Sequence, residues 1–540
     1  MKPNLKLLML LSLLAPSAFA NVTITQNAGI KNYSISVEGI KTSQREIDGQ
    51  VFQTANLVGV NGYEAVNYEV GAPEVPVVRF MVEAEKASDI QVNVIPTKKL
   101  RTYSLPNTLM PSLESVPKIA GARFKVVKGS QYRSFSSYPA NSFEITSAGS
   151  VRGHNQFMVT LNPVEYVGSE NTLKIARSFS VNVKEIAKDK TAPVQPGIVF
   201  VVGDRFKNSP SLKKYIDLKK SSGFNTYVIN TAPKVKAEAV RADLQKLFKA
   251  QKDLQFAIII GDASDVPGKS SNTISGLTDH YFSSIDTNDY AKDMNGPDIS
   301  VGRIAVTNEA QLATVLRKYT RYINGDFKTT NWLSSASFLA TNDQWELAEG
   351  THNYAIDTYT SHKGYEGNFP AARQVGGDKL YAITNRAENS DVMNSITKGR
   401  SIINYSGHGA NTYWDAPRVD QDDVRSLDKT TSSLPFVISN ACITADYRVD
   451  ESFAETWQRS EWGAVAYWGS MDSSYWDEDD ILEKRMYDGI FTLNKKNFGE
   501  ITEHALSEVW KHYGGKNRSA YYWETYHVFG DPSINLRINN

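Results

Sequence analysis

Cysteine is nearly missing from this 540-residue chain, which has one, Cys442. No intramolecular disulfide can form, so packing alone must hold the fold. A lone cysteine leaves two readings: a reactive or intermolecular thiol, or a buried apolar side chain. Charge of one sign is missing too, with Lys plus Arg and Asp plus Glu at 59 each. That balance gives no global field directed at nucleic acid or an anionic membrane. Low-complexity tracts are absent, and no apolar run approaches the roughly 20 residues that span a bilayer.

What is there begins with an export signature. Lys2 and Lys6 precede the apolar run Leu7 to Leu14, interrupted by Ser12, and Ser17-Ala18-Phe19-Ala20 has the small-x-small form of a signal-peptidase site. The pattern predicts a signal peptide over 1–20, a mature start at Asn21 and a secreted or periplasmic location. With no transmembrane segment and no cysteine directly at the cleavage site to accept a lipid, a soluble exported chain is expected.

Residues 21–190 read as a β-rich domain. Strict alternation marks Val22 to Thr25 and Phe179 to Lys184, and Phe157 to Leu161 is a further short strand. The charged, then Pro-rich stretch Lys184 to Pro196 is a linker composition. Beyond it the pattern turns α/β. Strand runs at Ile198 to Val202, Thr226 to Ile229 and Phe256 to Ile260 alternate with helical stretches at Ser211 to Lys220 and Val240 to Phe248. Further strands recur at Ser337 to Ala340, Ser401 to Tyr405, Phe436 to Ser439 and Ala464 to Trp468. This order predicts a parallel sheet covered by helices in two adjacent halves, 191–330 and 331–540.

Two strand ends carry chemistry. Ser401 to Tyr405 leads into Ser406-Gly407-His408-Gly409, and Pro435 to Ser439 leads into Asn440-Ala441-Cys442. Functional groups gather beyond the carboxyl ends of strands in open α/β sheets, so neighbouring strands would set His408 against Cys442. A free thiol, with a pKa of about 8.5, is mostly protonated near neutrality. An adjacent imidazole supplies the base that makes it a nucleophile, and the Gly409 N–H suits an oxyanion donor. A glycine turn with a surface histidine beside a buried cysteine fits the same residues.

YSGHG followed by LPFVISNAC resembles the gingipain family of cysteine peptidases, relatives of the caspases. GIVFVVGDRF, FAIIIGDASDVP, DISVGRI, WLSSASFLATND, GAVAYWGSMDSSYW and VFGDPSINLR follow in family order, covering nearly everything after the linker. The resemblance implies a caspase-like fold and a cysteine-type endopeptidase acting on protein or peptide substrates. It makes His408 the general base, Cys442 the nucleophile and Asp343 the residue orienting the histidine. Gly409 and the Cys442 N–H become the oxyanion hole, and Trp476 an aromatic of the specificity pocket. It implies structural calcium held by Asp262, Asp289 and Asp298, hard oxygen ligands suited to that ion. Residues 21–190 become a removable propeptide, resembling the family's chiefly through GAPEVPVV, and the protein a zymogen.

Some matters stay open. The chain stops at Asn540, where the family continues into further segments, so no outer-membrane sorting signal is expected. Glu346, Glu349 and Asp357 are alternative candidates for selecting a basic substrate residue. A transpeptidase of the same fold would use the same pair, with an amine resolving the acyl-enzyme, and an inactive binding protein could keep the fold.

Overall fold

The computed structural model describes residues 22–27, 29–186, 195–293 and 296–538; the predicted signal segment and most of the predicted linker lie outside the described residues. The N-terminal block, 22–186, contains no α-helix among the described residues. One antiparallel sheet joins Val22–Asn27, Ile30–Ile35, Ile90–Ser104, Val164–Val167 and Thr172–Lys184. A second joins Glu64–Val66, Pro76–Glu83, Phe143–Val151 and His154–Leu161. Alternation does what period-two patterning requires. Phe179, Val181 and Val183 enter the core, while Ser180 and Asn182 stay partly exposed.

The remainder is built on one ten-stranded sheet. In chain order its strands are β1 (Gly197–Val202), β2 (Asn225–Asn230), β3 (Leu254–Ile260), β4 (Ser300–Ile304), β5 (Ala336–Ala340), β6 (Asp378–Tyr381), β7 (Ile402–Ser406), β8 (Phe436–Asn440), β9 (Ala466–Ser470) and β10 (Tyr526–Phe529). Their spatial order is β2-β1-β3-β4-β10-β9-β8-β7-β5-β6. Strands β1 to β4 are mutually parallel, as are β5 to β9. The late strand β10 joins the halves, parallel to β4 and antiparallel to β9, so the halves run in opposite directions. Helices cover the sheet, including α1 (Pro210–Ser221), α2 (Ala237–Ala250), α3 (Glu309–Asn324), α4 (Trp345–Ala355), α5 (Trp476–Phe491) and α6 (Phe498–Tyr513). This is the two-halved, caspase-like α/β arrangement that the family resemblance implies; the sheet is mixed rather than wholly parallel, because β10 runs antiparallel to β9.

Local chemistry explains the boundaries. Every residue of β1 and of β8 is buried, the continuous apolar run demanded of a strand covered on both faces. Helix α1 starts where Ser209 accepts from Leu212 N and Pro210 takes the first turn. Helix α3 starts on Asn308, which accepts from Gln311 N, and stops at Gly325 in the left-handed region. The N-terminal block is not a separate bead. Tyr68, Met110, Leu113, Val116 and Phe124 share one core with Tyr475, Trp476 and Tyr513.

Candidate active site

Four adjacent parallel strands aim their carboxyl ends at one place. Beyond β5 lies Asp343, beyond β7 His408, beyond β8 Cys442 and beyond β9 Trp476. In register, Ala340 faces Ser406 and Ser406 faces Asn440, so the three turns leave the sheet at one level. The His408 loop packs too tightly for side chains at its glycines. A Cβ on Gly407 would come within 2.5 Å of Thr341 Cβ, and one on Gly409 within 2.8 Å of Thr444 Cγ2. After Cys442 the chain turns through Ile443 at φ 49°, a conformation that β-branched residues rarely adopt. Ile443 N–H donates to Asp472 O at 3.0 Å and holds that turn.

His408 Nε2 lies 3.1 Å from Asp343 Oδ2, so its Nδ1 is the atom turned toward the site. The indole of Trp476 meets the His408 ring edge-on, centroids 5.8 Å apart. The Cys442 thiol is buried; burial pushes its pKa up, opposed by Ser474, whose N–H donates to Sγ at 3.2 Å.

A residue that pattern reading misses occupies the centre. Val116-Pro117-Lys118 of the N-terminal block pairs antiparallel with Ser474-Tyr475-Trp476 through an isolated bridge at Pro117 and Tyr475. Lys118 N–H donates to Ser474 O at 2.8 Å and Trp476 N–H to Val116 O at 3.1 Å. The Lys118 carbonyl accepts from His408 Nδ1 at 2.6 Å and from the Cys442 thiol at 3.5 Å. Its side chain fills a closed pocket, with Nζ 2.8 Å from Asp479 Oδ2, 2.8 Å from Asn440 O and 3.1 Å from Ser406 Oγ. The ammonium also sits 4.9 Å from the Trp476 ring centroid. Neither Lys118 nor Asp479 exposes side-chain surface.

Of the three acids left open as selectors of a basic residue, none is the pocket's acid. Glu346 and Asp357 are exposed on their helical segment, and Glu349 accepts from Thr384. The only signal for Asp479 was its place in the run Asp477 to Asp480 just after Trp476.

The structure does not bring the three expected calcium ligands together. Asp262 turns back on its own loop, accepting from Ala263 N–H at 2.6 Å, and faces Arg459 at 3.6 Å. Asp289 is exposed at the start of a short turn. Asp298 gathers instead with Asp286 and Asp293, their ligand atoms within 4.8 Å of one another. Burial, with neighbouring carboxylates, holds Asp293 and Asp298 above the ordinary acid range. Asp286 Oδ1 and Asp293 Oδ2 are buried and receive no N–H or O–H donor from another residue, and the two carboxyl groups lie within hydrogen-bond reach of each other.

Residues 191–537 match the model of peptidase family C25. Lys-gingipain of Porphyromonas gingivalis is 23% identical over 95% of this chain, which spans 33% of that relative's length. Gingipain R1 of the same organism is 22% identical over 97% of the chain and 56% of the relative. The crystal structure of the Arg-specific cysteine proteinase gingipain R superposes with a TM-score of 0.54 at 22% identity, covering 65% of this chain and 81% of that one. The complex of the pro- and mature domains of a Porphyromonas gingivalis gingipain gives 0.53, covering 63% and 79% at 22% identity.

Proposed function

Because the chain belongs to peptidase family C25, we propose that it is an exported cysteine endopeptidase, cutting after lysine and held latent by its own N-terminal block. The observation that carries this reading is the buried contact of Lys118 with Asp479. An ammonium has three N–H donors and no acceptor; here it donates to Asn440 O and Ser406 Oγ, and the Asp479 carboxylate 2.8 Å away balances its charge. Asp479 Oδ1 accepts from Tyr522 at 2.8 Å and Tyr526 at 2.6 Å, leaving Oδ2 for the guest. One free carboxylate oxygen suits a compact point charge better than the two-pronged guanidinium of arginine.

In the mechanism, a substrate lysine enters the pocket and its carbonyl carbon meets Sγ. His408 Nδ1 takes the thiol proton as Sγ bonds to that carbon, and Gly409 and Cys442 N–H groups receive the oxyanion. The imidazolium, oriented by Asp343, gives its proton to the leaving amine as the C–N bond breaks. Water, deprotonated by the same nitrogen, then releases the acid from the thioester.

Lys118 is bound so as to resist this sequence. Its carbonyl oxygen lies against His408 and the thiol, so the base is occupied. The Ile119 N–H on the far side of the peptide bond donates to Pro117 O at 2.8 Å, out of reach of a proton donor. Latency ends when the block leaves, which a cut between 184 and 196 would permit.

A structural divalent cation, with calcium as the expected ion, belongs to the same reading. Asp286, Asp293 and Asp298 would hold it, and its two positive charges would offset most of the repulsion among the three crowded carboxylates without taking part in peptide cleavage.

The test is N-terminal sequencing of the active species alongside an activity time course. Activity should rise only as the 22–186 block is lost, while Cys442→Ala alone stays full length. A fully active species still starting at Asn21, with an unbroken chain, contradicts latency.

A further inference from the structure

The hairpin joining Phe143–Val151 to His154–Leu161 reaches across to the acidic cluster. Arg152 and Gly153 at its tip lie at φ 54° and 83°, the paired left-handed conformation of a tight hairpin turn. Ser150 N–H donates to Asp293 Oδ1 at 2.6 Å. Gly153 N–H at 2.6 Å and Ser150 Oγ at 3.0 Å both donate to Asp286 Oδ2. Arg152 N–H donates to Asp298 Oδ1. The Arg152 guanidinium turns away from the carboxylates' oxygens and clasps the carbonyls of Lys252, Leu254 and Asp298 at 2.7 to 2.8 Å.

The division of oxygens is what matters. Asp298 Oδ2 is engaged by Ile285 and Asp286 N–H at 2.6 and 2.8 Å. Hairpin donors take one oxygen of each carboxylate, and Asp286 Oδ1 and Asp293 Oδ2 are left with no outside donor, their two like-charged groups facing each other at hydrogen-bond reach. Asp293 is 2% exposed, so the orphaned oxygen has no access to solvent that would satisfy it. The hairpin therefore orients the carboxylates and shields them from water while leaving lone pairs free. A cation brings the positive charge that backbone dipoles alone do not, and shielding strengthens its attraction.

We infer that a divalent cation and the N-terminal block bind the C-terminal part cooperatively, through opposite oxygens of Asp286 and Asp293. The inference rests on the cation site proposed above and extends it to regulation: calcium tightens the latent form, and calcium depletion loosens it. Coupling is reciprocal, so whatever weakens hairpin docking weakens calcium binding by the same factor.

Two measurements on full-length Cys442→Ala protein test it. Amide hydrogen exchange at Ser150, Arg152 and Gly153 should slow about tenfold or more on going from chelator to millimolar calcium, a factor typical of site–site coupling. Asp293→Asn should remove the calcium effect. The second measurement is calcium affinity by calorimetry in Arg152→Ala. If the Arg152 charge merely repelled the ion, its removal would tighten calcium; cooperative docking predicts weaker binding. Unchanged or faster exchange with calcium, or tighter binding in Arg152→Ala, overturns the inference. Calorimetry separates the two ways of failing. No calcium binding in the parent protein defeats the site and the inference together, whereas Asp293-dependent binding without slower exchange defeats only the coupling.

Discussion

Lys118 Nζ and Asp479 Oδ2 lie 2.8 Å apart with no exposed side-chain surface on either partner, joining two parts of the chain that share one core. Removing one member of a buried ion pair strands the other, at about 3–5 kcal/mol. Lys118→Ala should therefore loosen the N-terminal block. Uncut Lys118→Ala precursor is expected to hydrolyse a small lysyl substrate that the parent precursor ignores. A mutant as silent as the parent before any chain cleavage would remove Lys118 from the latency mechanism.

The same arithmetic applies to substrate. Asp479→Asn should lower kcat/KM for lysyl substrates by about a hundredfold to several thousandfold, since 1.4 kcal/mol is a factor of ten. The loss should fall mainly on discrimination, so weak turnover of uncharged residues should persist. Parent-like lysyl kinetics in Asp479→Asn would place the specificity determinant elsewhere.

Cys442→Ala and His408→Ala are each expected to abolish peptide cleavage with the melting transition retained. The double mutant should be no worse than either single, because the pair acts as a unit. Asp343→Asn should lower turnover without eliminating it, since His408 keeps its place between Trp476 and the site. Parent turnover in that variant would exclude Asp343 from the mechanism.

Calcium should raise the melting temperature by mass action, about 2.7 kcal/mol at a hundred times the dissociation constant. The effect should vanish in Asp293→Asn and survive in Asp262→Asn. Superimposable melts in chelator and in calcium would count against any such site.

Acidity should matter at the interface between the two parts. Glu478 is buried, accepting from Ser115 of the N-terminal block and from Asn517, and burial pushes its pKa up to about 7. Its folded-state value is raised above the ordinary 4.5, so the folded, docked state binds the proton more tightly. Stability from this carboxyl is thus fully present below about pH 4.5 and is lost as pH climbs through about 7. Melting of full-length Cys442→Ala at pH 5 and pH 8 should show this decline, flattened in Glu478→Gln. An equal decline in the glutamine variant would assign it to other groups.

The parts legible from sequence share a cause. Ile198 to Val202, Phe256 to Ile260 and Phe436 to Ser439 are apolar because their strands are buried on both faces, and the glycines around His408 are imposed by packing. Lys118 was not legible. It sits outside regular structure and gains meaning only from an isolated bridge, Pro117 with Tyr475, between residues far apart in the chain. Asp479 was hidden among four consecutive acids, of which only the helix geometry of α5 decides which one enters the pocket. The acidic cluster of Asp286, Asp293 and Asp298 depends on loop closure, which leaves no local pattern in the sequence. Local patterns report burial and turns well, but contacts between distant irregular segments leave no period to read.

The most direct test of the central claim is the cleavage pattern of a peptide library incubated with the activated protein and read by mass spectrometry. New carboxyl termini should be lysine, formed by the parent protein and absent with Cys442→Ala. Cleavage that ignores lysine, or that persists undiminished in Cys442→Ala, would contradict the account.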